Sequence, residues 1–308
     1  MFVKKITKSQ LAIDVPAKVN MFLEVLSRRD DGYHNINSLF QAVSLYDRIT
    51  FTVTESQESA TVESSATDIP KGPDNLMIRA FEAMKSEFAL EKGLKAKIDK
   101  NIPVAAGLAG GSADAAATLV ACNLLFDLNL SPADLALIGL RIGSDVPFFF
   151  GCGQAIVTGR GETVLPAVFP TDYWLVLVKP SMALSTAEAY AGLRMDLTAK
   201  RPDLNLSSCR SVEELVCSLE KTGNDFEKGH LRSFPELERI KDGLLANGAR
   251  LVRMSGSGPT MFGVFFARPT TGRWESFDRA DWQVFTVRPV RFSDPGWTRQ
   301  REDNCGDH

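Results

Sequence analysis

The chain has 308 residues, 44% of them hydrophobic and 24% charged, proportions of an ordinary globular protein long enough for one large core or two smaller ones. A formal charge of −3 excludes a nucleic-acid-binding surface as its main business but leaves room for a local basic pocket. Five cysteines without a CxxC pair and only three histidines support neither a zinc site nor a disulfide framework, so reduced thiols are expected.

From the start, MFVKKITKSQLAIDVPAK carries no long apolar core and no small-residue cleavage site, and no later run is long enough to span a bilayer. A soluble, cytoplasmic chain is expected. The segment VNMFLEVL reads as a strand, and the PAKVN leading into it sets Lys18 among small and apolar residues, with Asn20 two places on. A lysine of this kind is ordinarily a surface residue; a partly buried catalytic one is the alternative. In RRDDGYHNI, Gly32 makes a turn, and Tyr33 and His34 offer an aromatic face and ring nitrogens, or simply half-exposed rings.

QAVSLYDRITFTV reads as a strand, and ESQESATVESSATDIPKGPDN as a polar loop with room for one short strand. NLMIRAFEAMKSEF sets Leu76, Met77, Ala80, Phe81, Met84 and Phe88 on one helical face, with Asp74 or Asn75 as N-cap. LKAKIDK alternates Leu94, Ala96 and Ile98 with charged residues, the pattern of a half-buried strand. Directly after it, PVAAGLAGGSADAAATLV packs glycine and alanine into a turn and a helix that opens near Ser112. It matches neither a Walker A loop nor GxGxxG. Small residues at a helix start do let backbone amides converge on an anion, but they equally make a tight packing turn, and the residues alone leave the two even.

Further on, GSDVPFFFGCG places Asp145 before an apolar run. An unpaired carboxylate there would be costly, so Asp145 either caps the turn or pairs with a cation and faces a substrate hydroxyl. Prolines at 166, 170 and 180 surround the apolar strand YWLVLV, and a domain boundary is expected near 165. Helices are expected around SVEELVCSLE and from SFPELERI, the latter with a Ser233–Glu236 capping box and a stop at Asn247-Gly248. ARLVRMSGSGPTMFGVFF reads as strand, turn, strand. In its turn Ser255, Ser257 and Thr260 could meet an anion or merely close a hairpin. WQVFTVRPVRF reads as a last strand, and the remainder as a frayed tail.

Taken together and in order, PAKVN, DGYH, NLMIRA, PVAAGLAGGSADAA, GSDVPFF and SGSGPT resemble the GHMP small-molecule kinases over residues 11–266. The resemblance implies an α+β fold of two domains: residues 1–165 like domain 2 of ribosomal protein S5, and residues 166–292 ferredoxin-like, followed by a tail over 293–308. It implies ATP as phosphate donor, with magnesium, held by the loop of Pro103, Val104, Ala105, Ala106, Gly107, Leu108, Ala109, Gly110, Gly111, Ser112 and Ala113. Asn75 would border the adenine. Lys18 and Asp145 match the catalytic pair, with Asp145 taking the proton of the accepting hydroxyl. DGYH and GSDVPFF point to the branch that phosphorylates the 2-hydroxyl of 4-diphosphocytidyl-2-C-methyl-D-erythritol, on the methylerythritol phosphate route to isoprenoid precursors. In that branch Asn20 would bond the substrate, and Tyr33, His34 and Tyr190 would hold the cytosine, with Tyr33 and Tyr190 as opposite walls.

Three residues depart from the pattern. Ala106 and Ala109 stand where relatives often have glycine, which would strain a turn needing positive φ, and Ala113 stands where a second serine is common. The alternatives are a GHMP kinase for another small alcohol such as homoserine, or a nucleotide-binding homologue without catalysis. The sequence names no magnesium ligand and leaves monomer against homodimer undecided.

Overall fold

The computed structural model of the protein describes residues 1–56, 59–193, 206–270 and 281–292. The expected tail, 293–308, lies outside them.

Two very long strands, β2 (Gln10–Arg28) and β3 (His34–Thr54), pair antiparallel along nearly their whole length. β1 (Phe2–Ile6) lies along the free side of β2. β3 is shared between two partners. Its residues 48–54 pair with β5 (Gly93–Asp99) and its residues 36–41 with β6 (Gln154–Gly159). β4 (Thr61–Ser64) joins β5 in parallel, and β7 (Thr163–Pro166) joins β6, completing a sheet of seven strands. In β5 the expected alternation holds: Leu94, Ala96 and Ile98 are buried and Lys95 and Lys97 exposed.

Helices α1 (Leu76–Phe88), α2 (Gly110–Leu125) and α3 (Pro132–Ile142) share one core with this sheet. Asn75 is the N-cap of α1, its side chain accepting from the Met77 amide. α2 opens at Gly110, two residues before Ser112, and is buried over most of its surface. Its alanines are what allow helices and sheet to approach from every side. α3 was not read from the sequence, although Ser131 and Asp134 form a capping box at its start.

The second sheet contains β8 (Trp174–Lys179), β9 (Leu251–Met254), β10 (Met261–Phe265) and β11 (Gln283–Val287), all antiparallel in the order β11-β8-β10-β9. Numbered along the chain this is 4-1-3-2, the ferredoxin-like order. α4 (Thr186–Ala191), α5 (Val212–Leu219), α6 (Glu227–Ser233) and α7 (Pro235–Ala246) lie between β8 and β9 in sequence. β8 is buried on both faces, Leu175 and Leu177 in one core and Val176 and Val178 in another, which is why YWLVLV reads as an unbroken apolar run. The first of these cores also takes in Ala17, Val19 and Leu39, so the two sheets share it.

The capping box expected at Ser233 does not form. Ser233 ends α6, Phe234 is the N-cap of α7, and no side chain bonds there. Pro235 starts α7 without needing an amide partner, and the Glu236 carboxylate accepts instead from the indole N–H of Trp282, 2.5 Å away. At the other end Asn247 is the C-cap and Gly248 takes a positive φ, as the Asn-Gly stop implies.

Candidate active site

A cavity of about 1250 Å³ runs between β2, the loop after β5, the turn after β9 and the start of α4. On its floor is Lys18, a β2 residue only 3% exposed. A buried ammonium needs partners, and three are present. Nζ donates to Asn20 Oδ1 at 2.6 Å, pairs with Asp145 Oδ2 at 3.2 Å, and lies 4.3 Å from the centre of the Phe40 ring. Asp145 precedes a 3-10 turn at Val146–Phe150, yet its side chain makes no capping bond there. Of the two readings left open for Asp145, the geometry gives the cation partner, and its side chain, 31% exposed, opens onto the cavity.

Asn20 is engaged at both ends. Its amide nitrogen donates to Ser38 Oγ at 2.9 Å, and Ser38 in turn donates to the Phe22 carbonyl at 2.5 Å. That chain fixes which end of the amide faces Lys18. Asn20 lines the cavity, but its side chain acts on Lys18.

Every residue from 103 to 112 lines the cavity except Leu108. Leu108 is buried, and its carbonyl accepts from the Lys18 amide at 3.1 Å, tying loop to strand. A second tie comes from Ser255. Its Oγ accepts from the Asn20 amide at 3.2 Å and donates to the Gly107 carbonyl at 2.8 Å. Gly107 cannot be replaced here, since φ is +75° and a Cβ would stand 2.1 Å from the Ser255 carbonyl oxygen. The MSGSGPT segment is thus a hairpin turn between β9 and β10 that also presents Gly256, Ser257 and Gly258 to the cavity.

The alanine departures fall differently from expectation. Ala109 is indeed in the left-handed region at φ 55°, and so is Ala105 at 51°, whereas Ala106 is not. For alanine each such residue costs about 1–2 kcal/mol. Ala113 is fully buried in the core and lies off the cavity wall, so the hydroxyl it lacks would not have faced the cavity. Ser112 does line it.

Tyr33, His34 and Tyr190 also line the cavity. Tyr33 is 53% exposed, with the Arg160 guanidinium 5.0 Å from its ring centre. His34 stacks on Tyr190 at 4.7 Å and 21°, and Tyr190 meets Phe226 edge-on at 4.8 Å. Tyr190 therefore packs against His34, where a wall facing Tyr33 was expected. Burial, with Arg28 adding to it, lowers the pKa of His34 and so favours the neutral ring, which has one donor and one acceptor nitrogen. Burial pushes the Tyr190 phenol up to about 12, and the Asp145 carboxylate adds to the shift.

Asn75 lines the cavity too, and its amide is taken up by capping α1 and by donating to the Pro70 carbonyl at 2.9 Å. Among the described residues no three His, Cys, Asp or Glu side chains form a metal cage. Magnesium that arrives on nucleotide phosphates needs few protein ligands, and the Ser112 hydroxyl has the hard oxygen such an ion accepts. Sequence reading missed Arg160, although TGRGE marks a turn beside the DGYH turn. It also missed Phe226, whose relation to Tyr190 is purely tertiary.

A buried lysine–carboxylate pair facing a small-residue loop at a helix start, between two α+β sheets, is the arrangement of a small-molecule phosphotransferase. The family models for the GHMP kinases N terminal domain and the GHMP kinases C terminal match residues 75–153 and 202–280. The chain belongs to the GHMP kinases. It is 44% identical over 263 residues to the 4-diphosphocytidyl-2-C-methyl-D-erythritol kinase of Moorella thermoacetica, covering 82% of this chain and 90% of that one. To the enzyme of the same name in Syntrophotalea carbinolica it is 41% identical, over 89% and 97% of the two chains. A crystal structure of 4-(cytidine 5'-diphospho)-2C-methyl-D-erythritol kinase superposes with a TM-score of 0.73 at 31% identity, covering 91% of this chain and 99% of that one. Homoserine kinase from Cytophaga hutchinsonii, at 16% identity and a TM-score of 0.72 over 94% and 98%, shares the fold alone.

Proposed function

We infer that the chain is an ATP-dependent kinase that phosphorylates the 2-hydroxyl of 4-diphosphocytidyl-2-C-methyl-D-erythritol, a step toward isoprenoid precursors. The observation that carries the chemistry is the Lys18–Asp145 pair at 3.2 Å, opening onto a cavity walled by the loop. The relatives of the same name, matched over most of their length, carry the choice of alcohol over homoserine.

In this reading Asp145 accepts the hydroxyl proton as the alcohol oxygen bonds to the γ-phosphorus and the bond to the β–γ bridging oxygen breaks, releasing ADP. Lys18 pairs with Asp145 and polarises the accepting oxygen, and Asn20 holds Lys18 in place. Amides of the loop and of the α2 start face the triphosphate. Magnesium on the triphosphate would offset its charge, with Ser112 of the loop as a hydroxyl ligand. The cytosine would lie against Tyr33 with His34 at its edge, which requires the His34–Tyr190 stack to open or to serve as one wall. Among the described residues no helix is long and apolar enough to cross a membrane, which fits action in the cytoplasm.

The test is turnover of the purified protein with ATP, magnesium and this alcohol, followed by phosphorus NMR of the product. The expected product carries a new 2-phosphate, and Asp145→Asn slows its formation by about 10²- to 10⁴-fold without unfolding the protein. No product above that control would overturn the reading.

A further inference from the structure

Behind the loop, with Lys100 and Asp114 at the cavity wall, three charged side chains from separate parts of the chain meet, and the chemistry above uses none of them. Lys100, just after β5, donates to Asp114 Oδ2 at 2.7 Å and to Asp47 of β3, and all three side chains are at most 7% exposed. Asp47 also accepts from the backbone amides of Asn101 and Ile102, at 2.6 and 2.9 Å. Asp114 sits in the first turns of α2, and its Oδ1 is buried without a hydrogen-bond partner. One ammonium therefore grips the chain entering the loop and the helix leaving it. Gly110 makes room for the grip, since a Cβ there would stand 2.9 Å from Lys100 Nζ.

A buried cluster with two carboxyl groups to one cation is poor material for stability alone, and apolar residues would fill the space at less electrostatic cost. Burial pushes the Asp114 carboxyl up against the pull of Lys100. Lys100 is itself raised, the two carboxylates outweighing its own burial. What lies between the two gripped ends explains the expense. Ala105 and Ala109 both hold left-handed backbone, a conformation that persists only where surrounding structure dictates it.

We propose that the Asp47–Lys100–Asp114 cluster is a positioning device that holds residues 103–109 in their nucleotide-ready shape before ATP arrives, setting affinity for ATP and not for the alcohol. The proposal rests on the loop being the phosphate site. Asp114→Ala should raise the KM for ATP about 5- to 30-fold and leave the KM for the alcohol within about twofold. In the protein without nucleotide it should speed hydrogen exchange at amides 104–109 and leave β2 and β8 unchanged. Asp114→Asn, which still accepts from Lys100, should restore both. Should Asp114→Ala fail to fold, Lys100→Gln, a neutral donor, is read by the same two measurements. Equal changes in both KM values, or unaltered exchange in the loop, would overturn the proposal. Gly111→Ala separates the two levels, because a Cβ there meets only Leu76, at an ordinary contact distance of 3.6 Å. If it leaves ATP affinity intact, the phosphate-loop reading falls; if it weakens ATP while Asp114→Ala does not, only the positioning device falls.

Discussion

Lys18 is held by a carboxylate, an amide oxygen and a phenyl face. That is a crowded setting for a group with three protons to give. Its consequence is rigidity, because the pair with Asp145 is fixed by Asn20 and Ser38 before any substrate binds. Tyr33 is the opposite case, exposed on a turn and touched by Arg160. It has surface to offer a flat base, and a base on an aromatic ring contributes about 1–3 kcal/mol. Tyr33→Ala should therefore raise the KM for the cytidylyl alcohol by about 5- to 150-fold with kcat nearly unchanged, read from initial rates at saturating ATP. An unaltered KM would remove Tyr33 from the base pocket. Residues of this kind were legible in the sequence because each sits inside a short motif, PAKVN, DGYH or GSDVPFF. Arg160, Phe226 and the Asp47–Lys100–Asp114 cluster were not. Their meaning lies in contacts between residues that are 53 and 14 positions apart in the cluster's two ion pairs, and no local pattern announces such a meeting.

Among the elements, the loop before α2 has the most unusual energetics. It is tied to β2 by Leu108, to the β9–β10 turn by Ser255 and to α2 by its own backbone. These ties hold two alanines where glycine would sit without strain. Ala109→Gly should relieve one left-handed alanine and lose part of the gain to the freer unfolded chain, for a net stabilisation of about 0.5–1 kcal/mol in urea denaturation. A loss of stability would mean that the methyl group is supported by packing instead. The sequence pointed to strain in this turn and named Ala109 correctly. It placed the other strained residue at Ala106, one position late, because the glycines of relatives mark the need for a tight turn without saying which φ reverses. Strands were legible where burial alternates, as in β5, or runs unbroken, as in β8. The Ser233 capping box failed because the cap pattern also occurs where one helix ends and the next begins.

On the scale of the whole molecule, the chain changes sheet between β7 and β8, over residues 167–173, and its last described stretch returns to the first sheet, where Phe292 donates to the Cys152 carbonyl at 2.8 Å. We read the two sheets as the cores of two domains meeting near residue 165, with the closing segment strapping them together. Their stability has a distinctive pH dependence. The charged groups acting on Asp114 are Lys100 and Asp47, and burial raises its carboxyl to about 8 in the folded protein. The folded state thus holds a proton that the unfolded chain releases at ordinary carboxylate pH. Its contribution is complete in acid and is lost as pH rises toward about 8. Stability of the wild type relative to Asp114→Asn should accordingly decline across that interval in urea titrations, and a flat difference would contradict it.

Asn75, Lys18, Asp145 and Tyr33 all line one cavity. In the proposed reading donor and acceptor share this one chamber, and a single tethered molecule would occupy both seats. A cytidylyl alcohol joined to adenosine through a phosphate chain would present its second half at millimolar effective concentration once the first is bound. Such a bisubstrate ligand should bind more tightly than either half, provided the linker spans the gap above the Lys18–Asp145 pair.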